Sequence, residues 1–78
     1  MTPIERGYEA KRLLENPVLK EALDGVRNGL VSALEASAIG DTDLHHNVAL
    51  SLQILLNIRR QLNKYISDGL TEEARSKR

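Results

Sequence analysis

The stretch VALSLQILLNI, residues 48–58, decides the fold, because as a helix it carries apolar side chains around most of its circumference. A surface helix of a globular protein shows one apolar stripe, and a helix that is apolar nearly all round must be covered on several sides. A chain of 78 residues is too short to cover it alone. The stretch therefore predicts self-association or a surface for another protein.

Two helix starts precede this stretch. Thr2-Pro3-Ile4-Glu5 is a capping box with proline in the first helical position, so a first helix is expected from there to Glu15. Asn16-Pro17 ends it, since a residue before proline leaves the α region, and starts a second helix under an asparagine cap. The second helix is expected to run to about Ala38.

A third helix, which contains the apolar stretch, is expected from about Asp43 to Ser67 or Asp68, with Gly69 as its terminator. The turn before it is residues 39–42, with Gly40 in a left-handed conformation and Asp41 or Thr42 as the cap.

The expected ends of the three helices predict the domain organisation. Residues 1–70 are expected to form a single helical domain, and residues 71–78 a polar tail that frays.

Two seams with alternating steps of four and three residues predict how the long helices pair. In helix 2 the seam is Leu19, Leu23, Val26, Leu30, Ala33 and Ser37, and in helix 3 it is Leu44, Val48, Ser51, Leu55, Ile58, Leu62 and Tyr65. The fold predicted is all-α: a short N-terminal helix plus a long antiparallel helical hairpin, oligomerising into a helical bundle. Leu55 and Ile58 are expected to face helix 2, and Leu50 and Ile54 to form the oligomer interface.

Two further groups of residues are candidate contacts. Gly25 and Gly29 on helix 2 each weaken a helix by about 1 kcal/mol, which predicts close helix packing within the hairpin or across an interface; a bend or a slot for a ligand is the alternative. Arg59, Arg60 and Lys64 form a basic face, which is either solvated, or the rim of a partner-binding interface, or a set of phosphate contacts.

The composition argues against an enzyme. There is no cysteine, no glycine-rich phosphate loop and no supported catalytic triad, and eleven basic residues balance eleven acidic ones. No cofactor and no metal are expected: the adjacent His45 and His46 point about 100° apart on a helix and share one ion poorly. With Asp41 and Asp43 they are interpreted as a solvated helix cap, the alternative being a pH-sensitive contact.

Neither a secretory signal nor an apolar run of membrane-spanning length is present, so no membrane partner is expected.

AKRLLENPVLKEAL (10–23) and SLQILLNIRRQLNKYISDG (51–69) resemble a group of small helical proteins of tailed bacteriophages, often encoded near head and DNA-packaging genes. The resemblance covers most of the chain, with Gly25, Gly29 and His45-His46 as departures. It implies a phage protein in the host cytoplasm or on the virion and carries over no functional residue.

The function expected is therefore a non-enzymatic, homo-oligomeric protein that contacts another phage or host protein in virion assembly or DNA packaging. The alternative is an oligomeric binder of nucleic acid or of a phosphorylated small molecule, serving packaging initiation or countering a host defence.

Overall fold

The computed structural model describes residues 1–77, which form three helices and no strand: α1 (Pro3–Glu15), α2 (Pro17–Ala36) and α3 (Thr42–Ser76). The prediction of an all-α chain with breaks at Asn16 and around Gly40 is confirmed. Arg78 lies outside the described residues.

Each helix begins at a side chain that caps it. Thr2, Asn16 and Asp41 each accept a hydrogen bond from the backbone N–H three residues further on. These bonds satisfy one of the donors that the first turn of a helix leaves unpaired. Short polar residues in front of Pro3, Pro17 and Thr42 therefore set the three helix starts, as the sequence predicts.

Two expectations about glycine are wrong. Gly69 does not end α3, which continues through it to Ser76, because Gly69 is buried against α1 and serves as a contact point there. Residues 71–76 of the expected tail are therefore helical. Gly40 has no left-handed backbone, since no glycine among residues 1–77 has a positive φ, and the turn closes instead through Asp41 N–H, which donates to the Ala38 carbonyl.

α1 and α2 lie end to end along α3 and run in the opposite direction to it. The pairs that meet, in chain order, are Gly7 with Gly69, Asp24 with Arg59 and Ser37 with His45. As the first number rises the second falls, which is the pattern of antiparallel neighbours. At each level of α3, therefore, one helix of the chain covers it.

The molecule is accordingly a thin rod of 58 × 23 × 16 Å. A 35-residue helix is about 52 Å long, so α3 alone sets the length. The radius of gyration is 17.0 Å, against about 11.5 Å for a compact domain of this size.

The interior consists of one row of side-chain contacts between α3 and the layer that α1 and α2 form. Among residues 1–77 the buried apolar side chains are Ala10 and Val48. Other apolar residues that face the opposite layer are half-buried, and they include Ile4, Leu14, Leu19, Leu23, Leu30, Leu44, Leu52, Leu55, Leu62 and Ile66. Such a chain has little hydrophobic core of its own.

Candidate interaction surface

Large apolar side chains cover much of the surface. Those on α2 and α3 that are at least one third exposed are Val18, Val26, Leu34, Leu50, Ile54, Leu56, Ile58 and Leu70. Leu50, at 45%, and Ile54, at 61%, were predicted to lie in an oligomer interface. In the protomer both are open to solvent, as an interface would require, but their contact with a second copy stays a prediction.

Three residues of the predicted seams turn away from the hairpin contact: Val26, Ala33 and Ile58. Val26 is 54% exposed and Ile58 is 45% exposed, so the expectation that Ile58 faces helix 2 is wrong, whereas Leu55 is half-buried against α2. Arg59 takes the inward place next to Ile58 and forms an ion pair with Asp24 across the two helices, with 2.9 Å between Nη2 and Oδ1. The aliphatic stem of an arginine can cover apolar surface in this way.

The Asp24–Arg59 ion pair lies on one side of the hairpin. Its position shows which residues of the two helices lie on the opposite side. At about 100° per residue, Ala22, Val26, Gly29 and Ala33 fall within an arc of about 60° on the side of α2 opposite Asp24. Leu50, Ile54 and Ile58 fall within an arc of about 80° on α3, away from Arg59. Since Asp24 and Arg59 meet on one side, both rows lie on the other.

We call this surface the apolar face; it consists of Ala22, Val26, Gly29, Ala33, Leu50, Ile54 and Ile58. The positions that border it on the two helices, from residue 18 to 37 and from 47 to 65, are apolar, small or uncharged polar residues. The charged side chains of α2 all lie on the Asp24 side: Lys20, Glu21, Asp24, Arg27 and Glu35. A charge-free face of this breadth is unusual for a solvated helix pair.

Gly25 and Gly29 contact no other helix of the chain. A Cβ built on either meets no heavy atom within 4 Å in residues 1–77. The close packing predicted within the hairpin is therefore absent, and packing across an oligomer interface stays a prediction. The close approach that the structure does contain involves Gly7 and Gly69, both buried.

The basic face is divided. Arg59 is engaged by Asp24, while Arg60 and Lys64 are exposed on the outer side of α3. The three side chains therefore do not form one free cluster. What remains available for an anionic partner is two exposed charges one turn apart.

The histidine cluster has one specific contact. His45 Nε2 lies 2.8 Å from Ser37 Oγ, and the Ser37 hydroxyl lies 2.6 Å from the Leu34 carbonyl oxygen. Because a carbonyl can only accept, the serine proton points to Leu34 and His45 Nε2 must donate. His45 thus joins the end of α2 to the start of α3, and His46 is exposed.

Two other kinds of site are absent from residues 1–77. No group of three or more metal-ligating side chains occurs there. No helix in that part of the chain is both long and apolar enough to span a membrane.

The α1–α3 contact carries two polar anchors that the sequence did not predict. Tyr8 Oη donates to the Glu73 carboxylate, at 3.0 Å from Oε1, and the Arg6 guanidinium lies 5.3 Å from the centre of the Tyr65 ring. The hydrogen bond to Glu73 and the charge of that carboxylate raise the pKa of Tyr8 above its usual value. These contacts join residues about 60 positions apart, and the pattern of either helix alone gives no sign of them.

No protein family, curated protein or solved structure matches this chain.

Proposed function

We propose that this chain is a non-enzymatic, self-associating helical protein that acts through contacts with other proteins. The observation that carries the proposal is its surface area. The chain exposes 6027 Å², whereas a folded monomer of 8.7 kDa exposes about 4700 Å². The excess of about 1300 Å² is more than the roughly 800 Å² that each partner buries in a standard stable interface.

The free energy gained by burying apolar side chains also favours association. Each leucine-sized side chain left in water forgoes about 1.5–3 kcal/mol of burial. The exposed α2 and α3 residues could recover that amount in a bundle, where the protomer offers them no cover. Homo-oligomerisation of the hairpin into a helical bundle is the assembly this proposal includes.

The resemblance to small proteins of tailed bacteriophages gives the proposal its biological setting. In that setting the oligomer contacts another phage or host protein during virion assembly or DNA packaging, in the host cytoplasm or on the virion. The residues at 10–23 and 51–69 carry this part of the proposal.

Binding of nucleic acid or of a phosphorylated small molecule is the weaker candidate. Arg59, one of its three expected contacts, is held by Asp24, and the chain has no net charge. Phosphate binding depends on several free cations acting together, and its affinity falls steeply with salt.

Sedimentation equilibrium and thermal unfolding of the purified chain test the proposal. If folding is coupled to association, the unfolding midpoint rises with protein concentration and the mass exceeds that of one chain. A monomer at micromolar and higher concentration, with a midpoint independent of concentration, would overturn self-association. Steeply salt-dependent binding to DNA would favour the weaker candidate instead.

A further inference from the structure

We infer that a second copy of this chain covers the apolar face, with α2 of each copy lying on α3 of the other. This inference rests on the proposed self-association and assigns it a surface and a register. The alternative surface is the groove on the Asp24–Arg59 side, lined by Leu23, Leu52 and Leu56 between Arg27 and Arg59.

Charge distinguishes the two surfaces. A second copy on the groove side would bring Arg27 and the Asp24–Arg59 ion pair under a protein surface and remove their water, which is unfavourable unless every charge is paired there. The apolar face has no charged residue to desolvate. The face that can be covered at least cost is therefore the charge-free one.

Side-chain size determines how two copies fit. On the apolar face, α2 contributes small residues around Gly29 and α3 contributes large ones around Ile54. Two faces related by a two-fold axis parallel to the helices place the small row of each copy against the large row of the other. Every neighbouring pair of helices in the resulting four-helix bundle is then antiparallel, as in bundles with short loops.

The register follows from contacts inside the protomer. The pairs Asp24–Arg59 and Ser37–His45 put Gly29 at the level of Ile54, and Ala33 at the level of Leu50. A two-fold axis along the helices keeps residues at their level, so Ile54 of the second copy lies over Gly29. Apart from the nearby backbone of α2 itself, a Cβ at Gly29 meets no heavy atom of residues 1–77 within 4 Å. The open space above Gly29 thus receives the largest exposed side chain at that level of α3.

Sedimentation of charged variants is the first test. Ile54→Glu is expected to raise the dimer dissociation constant by about thirtyfold or more, the loss typical of a central interface residue. Leu56→Glu is the control, because Leu56 is also exposed, at 46% against 61% for Ile54, but lies on the Asp24–Arg59 side. Dissociation by Leu56→Glu with Ile54→Glu unaffected would overturn the face while leaving self-association in place.

Two glycine variants test the apolar face by substitutions that leave the protomer folded. Glutamate forms helices better than glycine, so neither Gly29→Glu nor Gly25→Glu is expected to unfold α2. Gly29→Glu should weaken the dimer as Ile54→Glu does, because it puts a charge at the centre of the apolar face. Gly25 lies one turn away and about 40° further round α2 from the centre of the apolar face, so Gly25→Glu should weaken the dimer less. Equal effects of the two variants would contradict the register.

Cross-linking tests the contact directly, since the chain contains no cysteine. A mixture of Gly29→Cys and Ile54→Cys chains should form an interchain disulfide on mild oxidation, because facing helices bring the two Cβ atoms within bonding reach. A mixture of Gly29→Cys and Leu56→Cys chains should not. Cross-linking in the second mixture only, or equally in both, would overturn the assignment. A parent chain that sediments as a monomer would overturn the proposed function as well.

Discussion

Gly7 and Gly69 lie backbone to backbone where α1 crosses α3. A Cβ on Gly7 would lie 3.2 Å from Gly69 Cα and 3.0 Å from the Tyr65 carbonyl oxygen, and a Cβ on Gly69 would lie 3.0 Å from the Pro3 carbonyl oxygen. All three neighbours are backbone atoms, which cannot turn aside as a flexible side chain can. The absence of two side chains is thus what lets α1 lie so closely on α3.

Gly69→Ala should destabilise the chain even though alanine is the better helix former. The gain in helix propensity is about 1 kcal/mol, while forcing atoms into a packed contact costs about 1–3 kcal/mol. Gly69→Leu should displace α1 altogether. Thermal unfolding measures the first variant, and amide hydrogen exchange across residues 3–15 measures the second.

Gly25→Ala is the control for this prediction, because a Cβ there meets nothing within 4 Å in the described chain. It should raise the unfolding midpoint. A Gly69→Ala chain that is stabilised to the same degree would show that α1 does not pack on α3 as closely as the structure has it.

Tyr8 should ionise at higher pH in the folded chain than in the unfolded one. Its hydroxyl donates to Glu73, and losing the proton both breaks that bond and places two negative charges together, so the pKa of Tyr8 is raised. A raised pKa of this kind contributes stability below the unfolded value of about 10, and the contribution is lost as pH rises through the folded value.

Absorbance of tyrosinate measures that shift in a Tyr65→Phe chain, where Tyr8 is the single tyrosine. Tyr8→Phe should lower stability at neutral pH, with the difference from the parent disappearing at high pH. Titration of Tyr8 at its unfolded value would argue against the bond to Glu73 in solution.

Arg60→Glu combined with Lys64→Glu should leave the fold and the self-association unchanged. Both side chains are exposed and lie away from the apolar face, and exposed charges contribute within about 1 kcal/mol. Circular dichroism and sedimentation test this expectation. If the double variant loses binding to a phage protein, a host protein or a nucleic acid that the parent binds, these charges belong to the partner-binding site; if it binds as the parent does, they are only solvated.

The sequence predicts the helices well because their ends depend on local chemistry. Thr2, Asn16 and Asp41 cap their own first turns, and proline excludes the helical conformation just before Pro17, so no distant residue is needed. Gly69 shows the limit of this reasoning. By local rules it ends a helix, but α1, more than 50 residues earlier, covers it and makes its missing side chain a requirement of packing.

The rotation of α2 and α3 about their own axes is harder to predict from the sequence. Apolar residues surround most of residues 48–58, so more than one seam satisfies the four-three spacing. In the packing that the structure shows, Asp24 and Arg59 meet, and Val26 and Ile58 are exposed. The spacing of apolar residues along the sequence carries no information about an ion pair between residues 35 positions apart.

Leu55→Asp should leave the protomer unfolded over a hundredfold range of protein concentration, in contrast to Ile54→Asp. Leu55 lies between α3 and α2, lining the groove with Leu23, so a charge there must be buried between the two helices or separate them. Association does not remake that contact, so a higher concentration of chains offsets only part of the loss. Ile54 is exposed in the protomer, so the helical signal of Ile54→Asp should return as concentration rises and association resumes. Circular dichroism over a hundredfold range of concentration, about the range needed to shift a dimer equilibrium by 2.7 kcal/mol, separates the two. If both variants recover helicity in parallel, Leu55 belongs to the interface between copies rather than to the hairpin.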